Sequence, residues 1–264
     1  MTKKKATKKP EKKIRLSKGS KTETDFLVLL DASGSMGGCK EETISNFNEQ
    51  VEAIKKAGRG QKATVSLCTF NTPGQEKTIL WRRPVEDIEK LTDASYKPGG
   101  TTAMYDCIVA NVDRLAKELG EPLKPPARST SKPNPSVLVI IISDGYENAS
   151  IHASQSDVAE RIQAMQATNR WTFTYMGSNQ DLSKVSRELR IPIGNTMDYL
   201  ASKQGTKSAG HAMAQAVSCY TIGRAAGMSA TSNLLSREDR VRRVRDTAGS
   251  MAAEPKWKTT KKGA

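Results

Sequence analysis

Histidine is nearly absent from these 264 residues: there are two, His152 and His211, and neither stands in an H-E-x-x-H spacing. The four cysteines, Cys39, Cys68, Cys107 and Cys219, form no C-x-x-C pair. Together these gaps exclude the usual zinc constellations. No stretch approaches the ~18 consecutive apolar residues of a membrane span, and the start MTKKKATKKPEKK is followed by no apolar signal-peptide core. A cytoplasmic chain with no membrane partner is the expectation. In that reducing compartment the cysteines are expected as buried free thiols, although four allow disulfides, and the sequon Asn148-Ala149-Ser150 is expected to stay unglycosylated. Also missing are the P-loop G-x-x-x-x-G-K-S/T, the elbow G-x-S-x-G and any nucleophile paired with a base, so no enzyme is expected. Glu147, the one nearby acid a hydrolase would recruit, is expected to be a solvated helix-start residue.

What is present is charge, unevenly placed. Of the formal net charge of +14, residues 1–24 contribute +8 and residues 237–264 contribute +5, which leaves a nearly neutral centre. Lysine-rich ends of low hydrophobicity cannot bury enough apolar surface to fold. The expected organisation is a basic disordered tail over 1–24, one domain over 25–228 and a basic tail over 229–264. Within the domain, residues 120–135 (GEPLKPPARSTSKPNP) hold five prolines in sixteen and no apolar period, which predicts an exposed, semi-stiff loop. Its 124–127 stretch lacks a P-x-x-P core for polyproline docking.

Hydrophobic period switches repeatedly between two and 3.6 along the centre, as an alternating α/β unit requires. Strands are predicted over 26–30, 63–70, 137–142 and 171–176, with 191–193 as a last strand or its approach and 76–82 returning as an antiparallel edge after the turn 71–74. Helices are predicted over 41–56, 103–119, 155–168, 182–189 and 207–224. The fold class is a doubly wound, mostly parallel sheet with one antiparallel edge strand and helices on both faces. Such sheets bind ligands outside the carboxyl ends of their strands. Trp81, beside two arginines, is expected to cover the sheet edge.

Three polar segments fall on that rim. Asp31-Ala32-Ser33-Gly34-Ser35 ends the first strand, Gly99-Gly100-Thr101-Thr102 precedes a helix, and Ser143-Asp144-Gly145 follows the central strand. Singly, each is an ordinary cap or turn. In register they bring hydroxyls and two carboxylates to one centre, a set that suits a hard cation; few charged ligands favour Mg²⁺ over Ca²⁺, with Mn²⁺ as an alternative. The candidate ligands are Asp31, Ser33, Ser35, Thr101 and Asp144, and Thr102 competes with Thr101 because adjacent loop residues carry no period. The candidate partner-binding rim is Gly34, Met36, Gly100, Thr102, Gly145, Tyr146 and Glu147.

The order D-x-S-x-S, G-G-T, S-D-G resembles the von Willebrand factor type A domain with its metal-ion-dependent adhesion site. The phrases DASGSM (31–36), PGGT (98–101) and ISDGYENAS (142–150) resemble more closely the small soluble versions of bacteria and their phages, over roughly 24–228. The resemblance implies Ser33, Ser35 and Thr101 near the metal, Asp31 and Asp144 acting largely through water, and one coordination position left for a partner's carboxylate. It also implies host cytoplasm if phage-encoded, or a virion-associated protein. It leaves open whether the setting is a phage particle, an assembly with AAA+ ATPases or an adhesive surface.

Two functional classes follow. The first is a non-enzymatic module that binds an acidic residue of a partner protein through the cation. The second is a nucleic-acid or ribonucleoprotein factor that uses Lys3, Lys4, Lys5, Lys8, Lys9, Lys12, Lys13, Arg242, Arg243 and Arg245 for salt-sensitive contacts to a polyanion, with residues 236–244 as a basic helical turn. Neither class fixes an oligomeric state.

Overall fold

A computed structural model describes residues 22–121, 123, 135–178, 180–228 and 233–235. The basic tail residues named above, the 236–244 turn and most of the Pro-rich loop lie outside the described residues.

Six strands form one sheet: β1 (Glu23–Asp31), β2 (Lys62–Phe70), β3 (Lys77–Pro84), β4 (Ser136–Ser143), β5 (Trp171–Ser178) and β6 (Thr196–Tyr199). Their order is β3-β2-β1-β4-β5-β6, with β3 antiparallel and the rest parallel. Among the described residues five α-helices complete the layers: α1 (Lys40–Ala57), α2 (Met104–Glu118), α3 (Gln155–Gln166), α4 (Leu182–Leu189) and α5 (Lys203–Ala225). Alternate residues of the continuous apolar strands feed two cores, as strands buried on both faces must. Phe26, Val28 and Leu30 of β1 pack with Phe47 and Val51 of α1 and Val217 of α5, while Leu27 and Leu29 pack with Val112 of α2, Ile162 of α3 and Val185 of α4. The predicted doubly wound architecture with one antiparallel edge is the observed one.

Parallel neighbours run outward from β1 in both directions, so the strand order reverses between β1 and β4, which opens a crevice at their carboxyl ends. Leu30 pairs with Ile142 and with Thr69, which brings Asp31 level with Ser143. Among the described residues, no helix is long and apolar enough to cross a membrane.

One local alternative is resolved and three expectations need correction. Residues 191–193 are the approach to the last strand, not the strand itself. Pro192 removes a ladder donor, a 3-10 turn occupies Ile193–Asn195, and β6 follows it. Helix α5 begins at Lys203 instead of 207, because the Ser202 hydroxyl accepts the Gly205 N–H as an N-cap. The folded body continues past 228: Leu234 and Leu235 are buried, with Leu235 N–H on the Gly194 carbonyl and Leu234 N–H on Asn195 Oδ1. Cys219 is exposed, although Cys39, Cys68 and Cys107 are buried thiols, as expected, with burial raising the pKa of each of these three.

The Pro-rich loop leaves and returns at the amino end of the sheet. Buried Glu121 pairs with Arg170, whose Nε also donates to the Pro135 carbonyl at 2.9 Å, so one arginine holds both stems. Trp81 lies over the edge as expected: its indole N–H donates to Glu118 on α2, and the Arg114 guanidinium stacks 3.6 Å from the ring centroid.

Candidate metal centre

Asp31 ends β1 and is fully buried. Its Oδ1 accepts the Ser33 N–H at 2.7 Å and its Oδ2 accepts the Ser143 hydroxyl at 2.6 Å. The carboxylate therefore shapes the loop after β1 and ties it to the end of β4. The Ser33 and Ser35 hydroxyls lie 3.1 Å apart, and Ser35 donates to Asp144 Oδ1 at 2.6 Å. One line of oxygen atoms thus runs from Ser33 to Asp144 across the switch point.

The glycine-rich segment lies beside this line. Tyr96, buried, donates its hydroxyl to the Asp31 carbonyl at 2.5 Å, and Gly99 N–H donates to the Ala32 carbonyl at 2.8 Å. Gly100 adopts φ +83°, and a Cβ there would meet Thr72 Oγ1 at 2.3 Å, so the turn demands glycine. Gly34 serves to join loops and not to reverse the chain. It needs no left-handed turn; its N–H donates to the Gly100 carbonyl at 3.1 Å, which joins the two loops.

The neighbouring threonines separate clearly. Thr101 is exposed, with its N–H and hydroxyl against Thr72 Oγ1 at 3.2 and 3.3 Å. Thr102 is buried, and a Cβ built on Gly145 would lie 3.5 Å from its Oγ1 and 3.9 Å from Ser35 Oγ. Thr102, not Thr101, is the threonine grouped with Ser35 and Gly145.

The candidate rim divides as well. Gly34, Gly100 and Tyr146 are exposed and Gly145 is half-buried, whereas Met36 is wholly inside the core and cannot contact a partner. Glu147 is not solvated as expected. Its two carboxylate oxygens accept the N–H groups of Tyr105, Ala149 and Ser150 and the Ser150 hydroxyl, so it caps α2 from another loop. Asp106, missed in the sequence, answers from the first turn of α2: it accepts the N–H groups of Ile151, His152 and Ala153. Asn148 adds a third tie, accepting the Thr102 N–H and donating its own N–H to the Thr102 carbonyl. The sequence signal for these ties was weak, because polar residues spaced irregularly in a loop have no pattern that names their partners.

Electrostatics set the chemistry of the site. Burial pushes the carboxyls of both Asp31 and Asp144 above the usual range, hydrogen bonds from the serines partly oppose this, and the charge on Asp144 lifts Asp31 further. Among the described residues neither acid forms an ion pair with Lys or Arg. No cluster of three or more His, Cys, Asp or Glu side chains suited to a metal occurs among the described residues either. The donor set is two carboxylates plus hydroxyls, all oxygen, which fits a hard cation that keeps part of its water shell. Asp31, Ser33, Ser35, Thr102 and Asp144 are the residues that would hold it.

The chain is a single α/β domain with this oxygen-lined crevice at its switch point. No protein-family profile and no curated protein matches the sequence. Among solved structures, the pilus adhesin SpaC from Lactobacillus rhamnosus GG, in its open conformation, aligns with a TM-score of 0.52 over 76% of this chain and 30% of that one, at 11% identity. The ArnB paralog VWA2 from Sulfolobus acidocaldarius aligns at 0.43 over 72% and 44%, with 15% identity. Proximal thread matrix protein 1 from the mussel byssus aligns at 0.47 over 75% and 48%, with 14% identity. The chain spans less than half the length of each. At such identities the SpaC likeness is one of fold alone.

Proposed function

We propose that this protein is a von Willebrand factor A-type interaction module, not an enzyme, and that its crevice takes Mg²⁺ and an acidic residue of a partner protein. The observation that carries the reading is the 2.6 Å contact between Ser35 and Asp144, which closes loops from β1 and β4 around two acids that have no basic side chain paired to them among the described residues. A bound Mg²⁺ supplies the missing positive charge and a position for one more anionic oxygen. The chain supplies the rest. Asp31 fixes the Ser33 N–H and Ser143, Thr102 is held in place by Asn148, and exposed Gly34, Gly100 and Tyr146 leave the approach open. Side chains set this way before binding lose little freedom when a partner arrives.

The test is a pull-down with the full chain in Mg²⁺, in EDTA and with Asp31→Ala. A partner recovered only in the first condition supports the reading; the same proteins in all three refute it.

A second role is favoured by where the basic segments attach. Thr22 leads into the amino end of β1, Arg170 gathers the loop stems Glu121 and Pro135 at the amino end of β4, and Tyr220 of α5 bonds the Val137 carbonyl there. The amino-terminal Lys/Arg-rich end thus joins the body opposite the crevice, and the carboxyl-terminal one follows Leu235, held by the Gly194 carbonyl beside β6 and not at the β1–β4 crevice, so a polyanion and an acidic protein partner need not compete. Binding of a labelled single-stranded oligonucleotide that falls steeply with salt but ignores EDTA supports this role; no binding at low salt refutes it.

A further inference from the structure

The inward face of α1 carries a polar stripe, Thr43, Asn46 and Gln50, interleaved with the core residues Phe47, Val51 and Ile54. Two members are satisfied: Thr43 donates to the Cys39 carbonyl at 2.8 Å, and Asn46 Nδ2 donates across to the Thr206 carbonyl on α5 at 2.7 Å. Gln50 is different. It is 2% exposed, and neither Oε1 nor Nε2 has a hydrogen-bond partner; Oγ1 of Thr206, 3% exposed, makes no hydrogen bond of normal geometry and only faces the Cys39 thiol.

Both residues line one small cavity of about 10 Å³ between α1 and α5, with Ile142, Met176 and Tyr199 from the carboxyl halves of β4, β5 and β6 closing it. The helices have no freedom to shut this gap. One turn along α5, a Cβ on Gly210 would lie 2.0 Å from the Asn46 side chain, so the two helices are already at closest approach.

We propose that the cavity holds one ordered water molecule that bridges Gln50 of α1 to Thr206 of α5. The volume is about that of a single water centre, and apolar voids stay dry whereas polar ones of this size do not. The bonding inventory also fits. A glutamine amide presents both donors and an acceptor and a threonine hydroxyl presents either, so one water finds two or three partners and relieves most of the unpaired groups. Direct pairing would require the helices to approach, and Gly210 against Asn46 forbids that. The water is therefore a fixed part of the seam that fastens α1, whose amino end continues from the Asp31–Ser35 loop, to α5.

The experiment is a high-resolution crystal structure of the full chain together with oxygen-17 water relaxation dispersion on the wild type, Gln50→Met and Thr206→Val. The expected result is a density peak within about 3.2 Å of both Gln50 and Thr206 and a dispersion amplitude that falls by one long-lived water in Gln50→Met. The double variant, which removes both polar groups and nearly preserves their shape, is expected to melt no lower than the wild type. A Gln50 amide bonded directly to protein with no density beside it overturns the inference, as does an unchanged dispersion amplitude in Gln50→Met. Should Gln50→Met fail to fold, the wild-type density and Thr206→Val decide alone.

Discussion

Asp31 and Asp144 place the site in tension with folding, and the sign of that tension is measurable. Their folded pKa values are raised by burial, so folding favours the protonated form. The stability this contributes is present below the unfolded value of about 3.9 and is lost as pH rises through the folded values. Metal-free protein is thus expected to be less stable at pH 7 than near pH 4 on account of this pair, and Asp144→Asn is expected to flatten that part of the profile, as urea titrations across pH will show. Cation uptake runs the other way: it should weaken as pH falls through the raised values, sooner than at an ordinary carboxylate site. Asp144→Asn should abolish uptake while leaving the fold intact. Four of the five oxygen-bearing residues were readable in the chain, because D-x-S-x-S and S-D-G each end an apolar strand. The fifth was not. Thr101 and Thr102 are chemically identical neighbours, and only the contact with Asn148 and Gly145 turns Thr102 inward.

Elements were legible wherever hydrophobic period was strong. Helix α2 and strand β4 stand close to their predicted spans because Ile108, Val112 and Leu115, or an unbroken aliphatic run, leave no alternative. Strand β6 could be approached but not bounded from the sequence, because two of its four residues, Thr196 and Asp198, are polar and it pairs with β5 alone. The loop between β4 and α3 shows what period cannot reveal. It has no regular structure over 144–154, yet Asp106, Glu147 and Asn148 bolt it to α2. Asp106→Ala would strand three N–H groups at once and is expected to cost about 3 kcal/mol in chemical denaturation, with faster amide exchange confined to 148–153 at low denaturant. Gly210→Ala tests the α1–α5 contact. Its methyl would overlap the Asn46 side chain, and the expected loss is about 1–3 kcal/mol by thermal or urea unfolding; an unchanged midpoint would mean that the helices are not in contact there.

At the scale of the whole molecule, the oxygen-lined crevice lies at the carboxyl ends of β1 and β4, the amino-terminal charged segment joins at the opposite end of β1, and the carboxyl-terminal one follows Leu235 beside β6. That the carboxyl ends of β1 and β4 share one rim was readable from the alternation of elements; the order β3-β2-β1-β4-β5-β6, which makes them neighbours at a switch point, was not. Nor was the attachment of the charged segments, because it depends on Arg170, Tyr220 and Leu235 contacts made only in three dimensions. A ligand that binds only the folded state raises stability by mass action, about 2.7 kcal/mol at a hundredfold excess over its dissociation constant. Mg²⁺ should therefore raise the melting temperature of the full chain, and high monovalent salt should not remove the shift.

The most direct measurement is isothermal titration of Mg²⁺ into EDTA-stripped, dialysed protein, run in parallel with Ser35→Ala and Thr101→Ala. One cation per chain is expected for the wild type and for Thr101→Ala, with uptake severely weakened in Ser35→Ala. No uptake by the wild type, or the same uptake by Ser35→Ala, would contradict a cation centre in this crevice.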